Sequence, residues 1–438
     1  MFDLIILLCI AISFMLLASI IVFDLLKSRS SYLPSYLACL LILSYVVSPF
    51  MMYNFSVGVH PYFKSDIRSV IDVFSLLCFI VLLFVLSFFT GFFMLGAGRH
   101  KVFISVNHRF REGRFVLCLF LISLFFLYMF IVSYGGIDYV LSNASRIRSG
   151  TDENKNYLGA VFKMFSYYLE LVVFFCFARF ITYGGLTRFC VFLAVVSVVL
   201  LKAFLDAGRG GLLNIFIGLI FVFILVRGRL PILSLCLLLP VFAFVVVYGK
   251  VLLMLLTAGG FESVSDGPSF FEKADFVLVE FSHQFLSLFP VVRDDLLGDR
   301  FYSDFFIWML KPLKLLGVSG VDSISYYNTY NITGVWDSEI PPGPVALFLY
   351  NGGVFLVLLG GCFAGFFLRF VDRLIVNSTT VEGKVSSFLV ASLAVFSIYI
   401  PFAYVNSDPA LFVQWCLVYI ILFFFLMVFR ILTFRRFQ

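Results

Sequence analysis

The chain is built from long apolar runs that follow one another with few breaks, and this feature constrains its fold most strongly. Eleven runs come close to the roughly 20 residues that an α-helix needs to cross the hydrocarbon core of a bilayer. They are residues 3–23, 32–53, 70–95, 115–134, 157–178, 187–205, 211–226, 231–249, 343–368, 386–405 and 411–430. Because the runs are continuous rather than alternating, membrane helices explain them and barrel strands do not. The sequence predicts an all-α polytopic membrane protein with about 11 helices, within a range of roughly 10–14.

The composition and the charge pattern agree with this class. Hydrophobic residues make up 62% of the chain and charged residues 13%, which excludes an ordinary soluble domain. Basic residues in short loops mark the cytoplasmic side of a membrane protein. One such loop, residues 96–114, contains Arg99, Lys101, Arg109, Arg111 and Arg114. This pattern predicts an N-terminus outside and a cytoplasmic C-terminus, and it explains the net charge of +6 without nucleic acid.

The longest stretch that cannot lie in a bilayer is residues 250–342, and it falls on the outer side in this topology. We therefore predict three parts: an N-terminal transmembrane bundle at 1–249, a large outer loop with amphipathic helices at 250–342, and C-terminal transmembrane helices at 343–438. All nine cysteines fall within predicted spans, so the outer loops contain neither a disulfide framework nor a zinc-binding spacing. We look for chemistry on the outer side.

Three arginines in shorter outer segments could bind an anion. Arg209 lies between glycines in a turn too short to leave the membrane surface, where a guanidinium can grip a phosphate with two hydrogen bonds. It could instead pair with Asp206 or extend to lipid phosphate. Arg146 and Arg148 lie among small polar residues that suit an anionic or sugar ligand. The alternative, which the sequence alone slightly favours, is a solvated loop end with charges paired to Asp152 or Glu153.

The large loop contains a patterned segment, 276–292, in which a polar stripe runs along an otherwise apolar helix. The stripe consists of Glu280, His283, Gln284 and Ser287. We expect this helix to lie in or dip into the outer interface, with Glu280 orienting His283 as a candidate general base. Its 17 largely apolar residues are also just long enough to span the membrane. The alternative is an interfacial histidine satisfied by a neighbouring acid.

Two further groups of charges remain open. Arg293 and Arg300, in the same loop, could face an anionic ligand or be held in ion pairs. Glu170 lies near the middle of its span, two turns after Lys163, so we expect the two to form a structural pair or to line a cavity.

Short motifs connect the chain with a known family. Pro341-Pro342-Gly343 opens an apolar helix that soon reads Tyr350-Asn351-Gly352-Gly353, Arg209-Gly210 opens an earlier span, and a single large outer loop comes two spans later. In these features the chain resembles the O-antigen polymerases, the oligosaccharide repeat unit polymerases of bacterial envelopes, which are related to the O-antigen ligases. The resemblance implies a glycosyltransferase fold of the GT-C type in the bacterial inner membrane, with its active site facing the periplasm.

The resemblance also implies an activity and residue roles. The enzyme would polymerise undecaprenyl-diphosphate-linked repeat units into O-antigen or a similar surface polysaccharide, with no cofactor and no metal. Arg209, Arg146, Arg148, Arg293 and Arg300 would bind the diphosphate or glycan, and His283 and Glu280 would be catalytic. The implied partners are the lipid-linked oligosaccharide, membrane lipid and a polysaccharide chain-length regulator protein.

Three alternatives stay open at this point. An O-antigen ligase would use the same donor with lipid A core as the acceptor. A lipid-linked oligosaccharide flippase would be a transporter, for which related halves and a charged central cavity are expected. A peptidoglycan-type polymerase would use a similar lipid donor and rely on a loop carboxylate.

Overall fold

A computed structural model of the chain describes residues 2–27, 31–56, 71–94, 102–106, 110–149, 156–206, 209–230, 279, 281–306, 323–334, 339–380, 386–429 and 431–436. Within these ranges the chain is mostly helical. The helices before the large loop are α1 Phe2–Leu26, α2 Leu33–Ile42, α3 Ser48–Phe55, α4 Ile71–Met94, α5 Glu112–Ser133, α6 Ile137–Ser149, α7 Tyr157–Ser166, α8 Tyr168–Tyr183, α9 Leu186–Leu205 and α10 Arg209–Arg227. The later helices are α11 Leu288–Arg293, α12 Ile324–Thr333, α13 Gly343–Thr380, α14 Ser387–Asn406 and α15 Pro409–Val428.

The helices confirm a polytopic membrane protein. Among the described residues, eight helical stretches are long and apolar enough to cross a bilayer. One of them joins α2 and α3 through a π-helical turn at Leu43–Val47, and another joins most of α7 to α8. The predicted spans other than 231–249 coincide with described helices, and 231–249 lies outside the described residues. The total of eleven spans and their orientation stay predictions.

A short antiparallel β-ribbon is an addition that the sequence analysis does not anticipate. Strand β1, Val102–Val106, pairs with β2, Leu432–Arg436, so that Val102 lies opposite Arg436. The backbone N–H of Ile104 also donates to Ser378 Oγ at 2.8 Å. The ribbon therefore joins the basic loop after α4 to the C-terminal segment, two regions that the charge pattern places on the same side.

The chain divides into two compact units, and neither is continuous in sequence. Unit 1 contains Met1–Arg99, Phe270–Arg373 and Ile400–Gln414. Unit 2 contains His100–Ser269, Leu374–Tyr399 and Trp415–Gln438. The division in sequence order into bundle, loop and C-terminal helices stays a prediction.

Glycines allow α4 and α13 to approach closely in unit 1. A Cβ on Gly91 would lie 1.9 Å from the carbonyl oxygen of Cys362, and one on Gly365 would lie 2.0 Å from that of Phe88. Small residues are what membrane helices use where their backbones meet. The contact fixes the part of α13 that follows the Tyr-Asn-Gly-Gly motif.

A buried ionic cluster joins α1, the start of α2 and α13 elsewhere in unit 1. Lys27 Nζ lies 2.7 Å from Asp24 and 3.2 Å from Asp372. The hydroxyls of Ser35 and Ser31 donate to Asp24 and Asp372 at 2.9 and 2.7 Å. These contacts satisfy both carboxylates, so neither charge is left uncompensated where the helices meet.

In unit 2, α8 packs against α5, α9 and α10. A Cβ on Gly218 of α10 would lie 2.0 Å from the ring of Phe174 in α8. The absence of a side chain at Gly218 therefore lets the aromatic ring fill the interface, and the tight contact fixes the position of α10.

Candidate functional site

The helix α13 is broken at the Tyr350-Asn351-Gly352-Gly353 motif. Gly352 has φ −163° and ψ 19°, and Gly353 has φ 63° and ψ −159°. The second conformation is accessible essentially only to glycine. An α-helix interrupted here cannot satisfy the carbonyl groups of its preceding turn with its own N–H groups. The break therefore creates backbone acceptors inside a predicted span.

A segment of the large loop supplies donors to those acceptors. The N–H of Gly298 donates to the carbonyl of Leu349 at 2.9 Å, and the N–H of Arg300 donates to that of Tyr350 at 3.0 Å. Irregular backbone at membrane depth is tolerated where protein satisfies it. The loop segment 294–306 therefore packs on the helix break and places Arg300 next to the break.

The side chains at this junction form a group that we name the broken-helix cluster: Asp299, Arg300, Asp304, Tyr327 and Asn351. Arg300 Nη2 lies 2.8 Å from Asp304 Oδ1, and Arg300 Nε also donates to both carboxylate oxygens of Asp304. Asn351 Nδ2 donates to Asp304 Oδ2 at 2.9 Å. Asp304 is fully buried, whereas Arg300 is 21% exposed. The buried carboxylate therefore orients an arginine that remains partly accessible.

Tyr327 covers the other side of Arg300. The guanidinium carbon lies 5.0 Å from the centre of the Tyr327 ring, a distance typical of cation–π contacts. The Tyr327 hydroxyl donates to Asp299. Burial and the hydrogen bond to Asp299 raise the pKa of Tyr327 to about 12, so the phenol stays protonated at neutral pH.

The formal charge of the broken-helix cluster is negative, because it holds one arginine and two aspartates. The surrounding segment 293–304 contains two arginines and four aspartates. Arg293 is exposed and forms a two-bond pair with Asp294, at 2.8 and 2.9 Å. Both arginines therefore lie in ion pairs, which was one of the two predicted outcomes. Their role as diphosphate ligands stays a prediction, and the local charge disfavours it.

His283 lies on a helical stretch, 281–286, that precedes α11 in unit 1. Its side chain is half-buried, whereas Gln284 and Ser287 of the same polar stripe are buried. The rings of Phe285 and Phe289 pack on Phe74 of α4, with centroids 5.2 and 6.0 Å away. Aromatic packing therefore holds the described part of this segment in the core of unit 1, and its expected position in the outer interface stays a prediction.

A chain of hydrogen bonds links the His283 helix to the residues before the break. Ser287 Oγ donates to the carbonyl of His283 at 2.6 Å and accepts from Asn328 Nδ2 at 2.8 Å. Tyr350 OH in turn donates to Asn328 Oδ1 at 3.3 Å. Glu280, the predicted partner of His283, lies outside the described residues.

The remaining predicted arginines belong to unit 2. Arg209 begins α10, and Arg146 and Arg148 lie near the end of α6. Their backbones are helical, and their side chains lie outside the described part of the structure. Their roles stay predictions.

A second charged group in unit 2, which we name the buried network, consists of Lys163, Glu170, Lys202, Asp206 and Tyr399. Lys163 and Lys202 lie 3.2 and 3.1 Å from Asp206. Glu170 lies 3.6 Å from Lys202 and accepts a 2.7 Å hydrogen bond from Tyr399 OH. The expected pairing of Lys163 with Glu170 is therefore wrong, because α9 places Lys202 beside Glu170 and Asp206 beside Lys163.

Comparison with known proteins gives no relative. No protein-family model matches the chain, and no curated protein or solved structure matches it either. The part of the chain that the structure describes contains no group of three or more His, Cys, Asp or Glu residues that could hold a metal ion.

Several residues of the site have roles that the sequence analysis does not identify. Asp304 follows Arg300 by four residues, a spacing that can signal an ion pair on a helix. The same spacing relates Lys202 to Asp206. Tyr327 carries no comparable signal, because its partners Asp299 and Arg300 are distant in sequence.

Proposed function

We propose that the protein is a membrane glycosyltransferase that polymerises undecaprenyl-diphosphate-linked oligosaccharide repeat units on the periplasmic side of the bacterial inner membrane. The growing glycan moves from one lipid diphosphate to a sugar hydroxyl of the next lipid-linked repeat unit. The observation that carries the proposal is the broken helix, with a polar and aromatic loop docked on it between membrane spans. Interrupted membrane helices are typical of sites that handle polar substrates within a bilayer.

The reaction that we propose needs two contributions from the protein, a base for the acceptor hydroxyl and positive charge at the leaving diphosphate. The acceptor hydroxyl oxygen forms a bond to the anomeric carbon of the donor glycan, while the bond from that carbon to the diphosphate oxygen breaks. The hydroxyl proton passes to a base, for which His283 and Glu280 are the candidates. Arg209, with Arg146 and Arg148, stabilises the negative charge that develops on the leaving lipid diphosphate.

The test is the surface polysaccharide of a strain that lacks the gene. Polymerisation predicts loss of long chains with retention of single repeat units on the lipid A core, and restoration of the ladder by the wild-type gene. Loss of the single units as well would instead indicate a ligase or a flippase.

Arg209→Lys sharpens the same experiment, because lysine keeps the charge and loses the planar pair of donors. A bidentate contact with diphosphate predicts a loss of long chains of about tenfold or more at matched protein level. Near-normal polymer from Arg209→Ala would remove Arg209 from the site.

The buried network supports a second candidate, transport of the same lipid-linked oligosaccharide. Ionisable residues within membrane segments often mark substrate or proton pathways. Retention of lipid-linked repeat units on the cytoplasmic side of the deletion strain would favour this candidate, whereas their accumulation on the periplasmic side would favour polymerisation.

A further inference from the structure

Two adjacent aromatic residues of the large loop, Phe301 and Tyr302, have an unusual backbone conformation. Their φ angles are 35° and 63°, in the left-handed region that bulky residues rarely adopt. Such a conformation costs roughly 1 kcal/mol or more per residue and persists only where surrounding contacts impose it. Both residues lie directly after Arg300 of the broken-helix cluster.

Burial does not explain why aromatic residues occupy these strained positions. The side chain of Phe301 is 80% exposed and that of Tyr302 is 39% exposed. Glycine would adopt the same backbone without strain and would expose less apolar surface. The two rings contribute little to the core of unit 1, so their presence calls for a role at the surface.

Backbone hydrogen bonds hold the pair in place. The N–H of Phe301 donates to the carbonyl of Gly298 at 3.0 Å, and the N–H of Phe305 donates to that of Tyr302 at 3.2 Å. The two rings meet edge to face with centroids 5.4 Å apart. The backbone of the pair is therefore held in place, and the two rings contact each other.

Polar groups able to bind hydroxyls adjoin these rings. Arg300 and Asp299 immediately precede Phe301, and the Tyr327 hydroxyl donates to Asp299. A Cβ on Gly352 would lie 3.2 Å from the Tyr302 hydroxyl, so Tyr302 also lies against the helix break. Apolar rings combined with a few oriented polar groups are typical of small-molecule sites.

We propose that Phe301 and Tyr302 form a stacking surface for a neutral pyranose ring of the lipid-linked glycan, whose hydroxyls bond to Asp299, Arg300 and Tyr327. This assignment rests on the proposed function. The negative formal charge of the broken-helix cluster disfavours the diphosphate and does not oppose an uncharged sugar. The aspartates likewise oppose docking of the rings on an anionic lipid surface. Arg300 is thereby assigned to the glycan and not to the diphosphate.

The substitution Phe301→Gly distinguishes a loss of glycan binding from a loss of folding, because glycine removes the ring but also relieves the backbone strain. The purified full-length protein is tested with lipid-linked single repeat units extracted from the deletion strain. We expect the thermal stability to be unchanged or higher. The KM for the extracted oligosaccharide should rise about tenfold, because a stacked ring is lost, and kcat should change less than about twofold.

Phe306→Ala is the matched control, because Phe306 is 61% exposed in the same segment and has no left-handed backbone. We expect it to keep the wild-type KM.

A wild-type KM for Phe301→Gly would overturn the stacking surface. Less protein in the membrane together with that KM would indicate that the ring contacts lipid instead. Retention of the same oligosaccharide on immobilised protein is measured in parallel. Wild-type protein that retains the oligosaccharide but does not elongate it would disprove polymerisation, and Phe301→Gly would still test stacking through retention.

Discussion

Two polar groups, the broken-helix cluster of unit 1 and the buried network of unit 2, differ in charge balance and in backbone. The buried network contains two lysines and two acids. Lys202 and Glu170 are 4% and 2% exposed, and Lys163 and Asp206 are 18% and 13% exposed. It lies on regular helices and at their ends. The broken-helix cluster has an excess of negative charge, a partly exposed arginine, and a helix break beneath it. A charge-balanced set on regular helices leaves no buried charge uncompensated, whereas an unbalanced and partly exposed set on irregular backbone is suited to binding.

The largest expected effect is on the stability of unit 2. Lys202→Met leaves Glu170 and Asp206 with only Lys163 as a cationic partner among the members of the network. Removal of one partner from a buried pair costs about 3–5 kcal/mol, so we expect a large fall in the thermal unfolding temperature in detergent.

The double substitution Lys202→Met with Glu170→Gln is the control for that prediction. It removes one positive and one negative charge and keeps the pair of Lys163 with Asp206, so most of the stability should return. A stable Lys202→Met protein that has lost activity would show that the network acts in function, and would favour the transport candidate.

An intermediate effect is expected from Gly353→Ala. The backbone angles of Gly353 are strained for any residue with a Cβ, so the substitution should lower the free energy of unfolding by about 1–3 kcal/mol. It should also shift the backbone to which the Arg300 segment is hydrogen-bonded. Gly184 is a matched control, because it ends α8 with φ 63° and ψ −165° and, like Gly353, has open space where a Cβ would lie. We expect similar losses in unfolding temperature from the two variants and a loss of long polysaccharide only from Gly353→Ala. Equal amounts of long polysaccharide from the two variants would show that the helix break is not needed for polymerisation.

The smallest effect is expected from Arg293→Gln. This residue forms an exposed pair with Asp294, and such pairs contribute about 0–1 kcal/mol. The hydrogen bond from Arg293 lowers the pKa of Asp294, so the pair stabilises the folded state above the ordinary carboxyl range. That contribution is lost as the pH falls through the lowered pKa. The free energies of unfolding of wild type and variant, measured as a function of pH, should therefore converge in acid. The variant should make a normal amount of long polysaccharide at neutral pH. A marked loss of polymer from this variant would restore Arg293 as a candidate ligand.

Hydrophobic runs located the helices well, because the bilayer fixes their length. The starts of α1, α4 and α9 lie within one residue of the predicted positions. The end of α13 does not, because the helix continues to Thr380, beyond the apolar run that ends at 368. Ion pairs of Asp372 with Lys27 and Arg369 stabilise this polar extension, and a hydropathy pattern contains no information about such partners.

The candidate site was predicted less completely, because its contacts are long-range. The sequence shows a motif at Tyr350-Asn351-Gly352-Gly353, but it does not show that the helix breaks there. It also does not show that a segment about fifty residues earlier donates hydrogen bonds to the carbonyl groups before the break. The sequence does not predict the ribbon of β1 with β2 for a similar reason, since its two short strands lie at distant points of the chain. Spacing also suggested Lys163 as the partner of Glu170, whereas helix packing supplied Lys202.

The most direct test of the central claim uses purified wild-type protein in liposomes, supplied with lipid-linked single repeat units from the deletion strain. The account predicts longer lipid-linked glycans and the release of one undecaprenyl diphosphate for each new linkage. It also predicts that Phe301→Gly slows elongation at low substrate concentration and that Phe306→Ala does not. Movement of intact lipid-linked repeat units across the bilayer, with no elongation on either side, would contradict it.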